Sequence, residues 1–187
     1  MRYILTILLT PFIFAAEWSA TNYNEFGIGI DHVRFDDSSE SANTFLLQGK
    51  FELSKQFHLV AGASHTNFDA YRVELKSQAG YLGLGVDQTL SQRSSVYARL
   101  IINHVDGKIE SRNYEVTTNE TDLVANLGLR TSITKHFELF TGLSFIDSET
   151  SGHLGFEFQI REGWGIQLVA TKGDDSNGAA LGLVKRF

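Results

Sequence analysis

Residues 137–145 read FELFTGLSF, and the spacing within them decides between the two regular backbones. Phe137, Leu139, Leu143 and Phe145 fall on one parity with Thr141 between them, while Glu138, Phe140, Gly142 and Ser144 fall on the other. A strand sends successive side chains to opposite faces, so one face here is apolar and the other mixed, with Glu138 and Ser144 beside Phe140 and Gly142. A helix would need its apolar residues three and four apart. Working outward, the same period of two predicts strands at Asn24 to Arg34, Ala42 to Leu53, Phe57 to Thr66, Arg72 to Gln88, Ser95 to Val105, Thr121 to Ile133, His136 to Ile146, Ser151 to Ile160, Trp164 to Lys172 and Gly178 to Phe187.

The breaks between these ten runs come in two kinds. Ser54-Lys55-Gln56, Thr89 to Ser94, Thr134-Lys135 and Arg161-Glu162-Gly163 are mostly tight, whereas Phe35 to Ser41, Asn67 to Tyr71, Asp106 to Glu120, Asp147 to Thr150 and Gly173 to Asn177 are more acidic and in places longer. Short turns at one end and longer loops at the other is the pattern of an up-and-down transmembrane β-barrel. We expect an all-β, antiparallel barrel of ten strands, with eight as the alternative, its turns in the periplasm and its loops outside. Runs such as Phe26/Ile28/Ile30, Leu82/Leu84/Val86 and Leu123/Ala125/Leu127/Leu129 would then meet lipid, and the opposite parity would line the lumen. A soluble barrel reverses the two faces, so alternation alone does not choose. Aromatic height does: Phe26, Phe57, Phe137 and Trp164 open ascending runs, while Phe51, Phe158 and Phe187 lie near the ends of descending ones, which places a girdle at the periplasmic rim.

Residues 1–16, MRYILTILLTPFIFAA, carry a cation at Arg2, an apolar run interrupted by Pro11, and small residues at the end. That is the pattern of a cleaved secretory signal peptide, too short to span a bilayer comfortably, and it leaves residues 17–187 as the barrel domain. The chain holds 22 acidic against 16 basic residues, and loss of Arg2 makes the exported part more negative still. Nucleic acid is therefore not an expected partner. There is no cysteine, which excludes an extracellular disulfide scaffold. The one proline lies in the leader, as expected where nearly every later backbone N–H joins a ladder.

The last run, ALGLVKRF at 180–187, alternates into a terminal aromatic ring. With FELFTGLSF and LVANLGLRTSI, it resembles the small, porin-like Gram-negative outer-membrane barrels of the OmpA and OmpX kind. In that family a final alternating strand with an aromatic end is read by the barrel-assembly machinery. Gly182, Leu183 and Phe187 match this assembly signal, while Lys185 stands where an apolar or aromatic residue is usual. The resemblance implies a place in the bacterial outer membrane, contact with its lipid and lipopolysaccharide, and a structural or surface role more often than an enzymatic one.

Three sets of residues carry possible chemistry. On the lumen parity Asp31, Glu52, Asp87, Glu138 and Glu157 oppose Lys50, Arg99, Arg130, Arg161 and Arg186. They could line an ion-selective pore or pair into a plug, and pairing is expected because isolated charges in a narrow barrel are costly. Among the histidines, His32, His65, His104 and His153 fall toward the outer rim and His58 and His136 at the inner one, with no Ser and carboxylate spaced to complete a catalytic set. The acidic stretches Asp36-Asp37-Ser38-Ser39-Glu40 and Asp174-Asp175-Ser176-Asn177-Gly178 offer oxygens to a divalent cation but lack the spacing of a calcium loop, and turn chemistry accounts for the same residues. We expect no cofactor, no bound metal and no catalytic site. The expected role is envelope structure or a narrow porin-like path. A lipid-modifying enzyme, a loop-mediated adhesin and a soluble periplasmic lipocalin-like binder stand as alternatives.

Overall fold

The structure, a computed structural model, describes residues 24–36, 41–70, 73–111, 114–147 and 149–187. The leader expected at residues 1–16 lies outside them. Alternating sequence becomes ten strands: β1 (Glu25–Phe35), β2 (Ser41–Glu52), β3 (Phe57–Ala70), β4 (Val73–Thr89), β5 (Ser94–Ser111), β6 (Tyr114–Thr134), β7 (Phe137–Ile146), β8 (Glu149–Arg161), β9 (Trp164–Lys172) and β10 (Ser176–Arg186). Each pairs antiparallel with its sequence neighbours, and β10 closes on β1 from Glu25↔Arg186 to Phe35↔Ser176. Closure leaves no open sheet edge along that seam, which a spanning sheet requires because lipid offers backbone groups no partner.

The tight turns form as their residues dictate. Leu53 N donates to Phe57 O and Leu90 N to Ser94 O, each at 2.9 Å. The hydroxyls of Ser54 and Ser91 accept from Phe57 N at 3.2 Å and Ser94 N at 3.0 Å, the local bonding that favours serine in turns. Gly163, at φ 70°, turns the chain from β8 to β9 where a Cβ would meet Arg186 O at 2.6 Å.

At the opposite end the described residues of two loops expected from sequence are instead strand. Asp106–Ser111 and Tyr114–Glu120 are ladder, pairing from Asp106↔Asn119 to Ser111↔Tyr114, and β3 continues through Asn67 to Ala70. The reason lies in a change of phase along the strands. On β5 the outward residues Val96, Ala98, Leu100 and Ile102 give way to His104, Asp106 and Lys108, while the inward residues change from Tyr97 and Arg99 to Val105 and Ile109. Alternation persists, but the apolar parity swaps, so a run read by one greasy face looks finished.

The swap recurs around the wall. Outward apolar residues end at Ile30, Phe45, Ala63, Leu82, Ile102, Leu123 and Phe145, and polar outward residues follow at His32, Asn43, His65, Gln78, His104, Thr121 and Asp147. Below this line the band spans roughly eight residues per strand, which at about 3.3 Å per residue and a tilt near 40° is about 20 Å, close to the apolar height of outer-membrane barrels. Above it the interior holds a hydrophobic cluster in which Val33, Phe35, Ala42, Phe68, Leu75, Ala79, Val105, Ile109 and Ile146 are buried, beside the buried polar side chains of Thr44, Thr66, Ser77 and Asn103. Phe35 and Phe68 meet edge-on at 5.9 Å between centroids. The wall is uneven in height. β6 pairs with β7 only from Val124↔Ile146 downward, so residues 114–123 hold to β5 alone.

Candidate functional site

Below the hydrophobic core the lumen is ionic. Glu138 on β7 and Glu157 on β8 are direct cross-strand partners, a like-charge pairing that would be destabilising by itself. Arg130 arrives from β6 and Arg186 from β10 to bridge them. Arg130 Nη2 donates to Glu138 Oε2 at 3.0 Å and to Glu157 Oε2 at 2.9 Å; Arg186 Nη2 donates to the same two oxygens at 2.9 and 2.8 Å. Arg186 Nε donates to Glu25 Oε1 at 3.0 Å, and Ser132 Oγ to Glu138 Oε1 at 3.0 Å. Arg186 can reach across because β9 presents Gly165 to the lumen there, and the Glu157 carboxylate lies against it, 2.8 Å from where a Cβ would stand. Arg130 is 2% exposed and its guanidinium lies 5.1 Å from the Phe140 ring centroid. This geometry holds charge out of water by mutual pairing, the condition under which buried ions are tolerated.

A second group sits on the facing strands. Lys50 Nζ donates to Asp87 Oδ2 at 3.1 Å, His58 Nδ1 lies 2.8 Å from the same oxygen, and Arg99 Nε donates to His58 Nε2 at 3.0 Å. Arg99 also lies 4.4 Å from the Tyr97 ring centroid, and Tyr97 Oη lies 3.1 Å from His153 Nε2. Tyr97 and Phe140 fit flat across the lumen because Gly128 and Gly155 leave room; a Cβ at either would meet a ring carbon at 2.3 Å.

Of the residues singled out from the sequence, Lys50, Asp87, Arg99, Arg130, Glu138, Glu157 and Arg186 lie in these two groups. Glu52 and Arg161 do not: both are exposed at the strand ends, where the barrel opens to water and nothing forces a charge inward. Asp31 is inside but stands apart. It is 0% exposed, and neither carboxylate oxygen meets a cation or a side-chain donor among the described residues. Glu25 and His58 complete the clusters and were missed. Glu25 lies within the run Asn24 to Arg34 on the parity of buried Asp31, and His58, assigned to the rim by height alone, shares the parity of buried Val60.

No protein-family model matches the chain, and no curated protein does. Solved structures do. The chain superposes on an outer membrane channel from Pseudomonas putida F1 with a TM-score of 0.57 at 10% identity, covering 93% of this chain and 98% of that one. On the translocator domain of the autotransporter NalP from Neisseria meningitidis the TM-score is 0.53 at 10% identity, covering 100% and 95%. The fold is that of the outer-membrane β-barrels. At such identities the likeness is one of architecture alone.

Within that fold the aromatic set collects at the short-turn end. Phe26, Phe51, Phe57, Phe158 and Trp164 are exposed on the outer wall, Phe137 is half-buried against Phe156 at 5.8 Å, and Phe187 is 76% exposed. Lys185 Nζ lies 5.2 Å from the Trp164 ring centroid and 5.8 Å from that of Phe187, so the cation that departs from the family pattern rests on two rings of the girdle. Gly182 pairs with Gly29, Leu183 faces outward, and Phe187 N donates to Asn24 O at 2.9 Å.

The histidines divide by wall. His32 Nδ1 contacts Asn43 Oδ1 at 2.9 Å and His104 Nδ1 contacts Thr121 Oγ1 at 2.9 Å, both on the outside above the apolar band. His153, expected near the outer rim, is buried in the lumen because β8 turns it inward with Ser151. The His58 and Asp87 pair has Arg99, not a hydroxyl, on the second ring nitrogen, an arrangement suited to holding charge and not to activating a nucleophile. Asp36 accepts from Lys172 and Asn177, bracing the loops of β1 and β10, and Thr150 N lies 3.4 Å from Asp174 Oδ2. Residues 37–40 of the first acidic stretch lie outside the described set.

Proposed function

We propose that this protein spans the bacterial outer membrane with its short-turn half and acts as a closed, envelope-structural barrel whose taller β3–β6 wall stands above the outer leaflet. The observation that carries the reading is the exchange of faces along single strands. A band with lipid-compatible residues outside and paired charges inside is followed, on the same strands, by a band with polar residues outside and a hydrophobic core inside. The first suits lipid and the second suits water, so the line between them supports a membrane boundary.

Two plugs in series argue for closure. The ion clusters fill the lower lumen and the apolar cluster fills the upper one, as expected of a barrel of this strand number. A narrow porin-like path is the second reading, favoured by a pocket of about 400 Å³ at the inner rim lined by Arg93, Lys135 and His136. That pocket ends on Glu138, Glu157 and Arg186, so a path would have to break their pairing. The test is planar-bilayer conductance of the purified full chain in potassium chloride. A closed barrel gives no stepwise current, whereas steady unitary channels would favour the path.

Partners follow from the same placement. Membrane lipid and lipopolysaccharide would surround the apolar band, and the assembly machinery would read the Gly182, Leu183 and Phe187 strand during biogenesis. No catalytic role, cofactor or metal is part of the proposal.

A further inference from the structure

On the outer wall, where β3, β4 and β5 cross the boundary between apolar and polar bands, lies a groove of about 360 Å³. Its polar end is His65, Gln78, His104 and Asp106, and its floor is Ala63 and Gly80. Strand pairing fixes these together: Gly80 lies opposite Ala63 on one side and His104 on the other, and Gln78 lies opposite His65 and Asp106. One step down the wall the outward residues are Leu82 and Ile102, so the groove continues into the lipid-facing band.

Two independent features mark it as more than a gap between strands. The first is Gly80. Outward Gly49 is covered by the Phe51 ring at 3.0 Å from a built Cβ, and outward Gly152 by Leu143 at 3.7 Å. At Gly80 a Cβ would meet nothing nearer than 4.0 Å, so packing does not demand a glycine and no neighbour covers it. The second is the ordering of the polar end. Thr121 Oγ1 holds His104 Nδ1 at 2.9 Å, and Asn119 Nδ2 donates to Asp106 Oδ1 at 2.8 Å, so β6 fixes both side chains in place from the side.

The chemistry of that set is specific. A carboxylate, an amide and two imidazoles provide acceptors and donors at short range, which suits vicinal hydroxyls. A bare phosphate would face the Asp106 carboxylate with no lysine or arginine in the groove lining. The volume lies at the low end of small-molecule sites, roughly 300 to 1,000 Å³. We propose that this groove binds the sugar of an outer-leaflet glycolipid, with an acyl chain running down past Leu82 and Ile102. The inference rests on the membrane placement proposed above.

The experiment is the thermal midpoint of the full chain purified in a sugar-free amine-oxide detergent with added monoglucosyl diacylglycerol, whose hexose keeps adjacent free hydroxyls, against phosphatidylethanolamine, whose headgroup has no diol. At a concentration about tenfold above Kd, the glucosyl lipid should raise the midpoint by about 3–5 °C, and phosphatidylethanolamine should not. Gly80→Leu fills the groove from an open position, and the double change His104→Ala with Asp106→Ala removes its polar end. Each should abolish the glucosyl-lipid shift while leaving the unliganded midpoint near that of the wild type. An equal shift with phosphatidylethanolamine, or a glucosyl-lipid shift that survives in both variants, overturns the site. Recovery of the protein from cells without detergent would instead overturn the membrane placement, and the groove reading with it.

Discussion

The lower and upper halves of the barrel are built on the same strands by opposite rules. Below Ile102, β5 turns Tyr97 and Arg99 inward and shows Val96, Ala98 and Leu100 outside; above it, Val105 and Ile109 point inward and His104 and Asp106 face out. Hydrogen bonding along the ladder is unchanged across the switch, from Ile101↔Val124 to Asn103↔Asp122. Backbone geometry therefore does not determine which face is the core. In the proposed placement the medium on each side does: an apolar wall costs little against lipid and much against water, and a charged interior is tolerated only where each ion finds a partner.

The largest effect should come from the lower interior. Arg130→Ala leaves Glu138 and Glu157 short of a cation and should destabilise by about 3–5 kcal/mol. Combining it with Glu138→Gln should cost less than the sum of the separate losses, with a coupling of about 1–3 kcal/mol in a double-mutant cycle read by denaturant titration. Independent, additive losses would mean that the cluster is not a network.

The outer wall gives the next contrast. Leu127→Arg places a charge in the apolar band and should cost about 2–4 kcal/mol in refolding into liposomes, while Thr121→Arg, six residues up the same face, should be near neutral. If the two cost alike, the polarity line through β6 is not a membrane boundary.

Phe187 separates stability from assembly. Its ring is largely exposed at the short-turn end, and Phe187→Ala should lower stability in detergent by no more than about 1.5–3 kcal/mol. The same change should sharply reduce the amount found in the outer membrane, measured by immunoblot of membrane fractions. Normal levels would remove the assembly role.

The smallest effect belongs to the overhang. Burial raises the Glu120 and Asp122 carboxyls above their ordinary range, and the Asp147 charge adds to it at both. The folded state thus holds these protons more tightly than the unfolded one, so the penalty is present at neutral pH and relieved as pH falls. Asp122→Asn should be neutral to slightly stabilising at pH 7, within about 0.5 kcal/mol, with the gain shrinking in acid.

Much of this was legible from spacing. The apolar parity of every strand in the lower band follows from alternation, and residues such as Arg130, Glu138, Glu157 and Arg186 could be placed in the lumen by counting. What counting missed is the switch, because a template of one greasy face ends where the phase changes. Its trace is nevertheless present: Ile101-Ile102, Leu123-Val124 and Phe145-Ile146 are adjacent apolar pairs, one member on each face, at the height where the core moves indoors. Glu52 and Arg161 were misplaced for a different reason. At a rim, parity no longer implies burial, since both sides of the strand see water. The partners of each charge could not be read at all, because Arg186 reaches Glu138 across two intervening strands and over a glycine.

The central claim is that one strand passes from lipid to water partway along its length. It is tested most directly by nitroxide labels placed singly at the outward positions 98, 100, 102, 104, 106 and 108 of β5 in liposomes, with accessibility to oxygen and to a water-soluble paramagnet measured at each. The account predicts oxygen-rich, paramagnet-poor environments at 98, 100 and 102 and the reverse at 106 and 108, with the crossover at 104. Lipid exposure through 108, or water exposure already at 98, would contradict it.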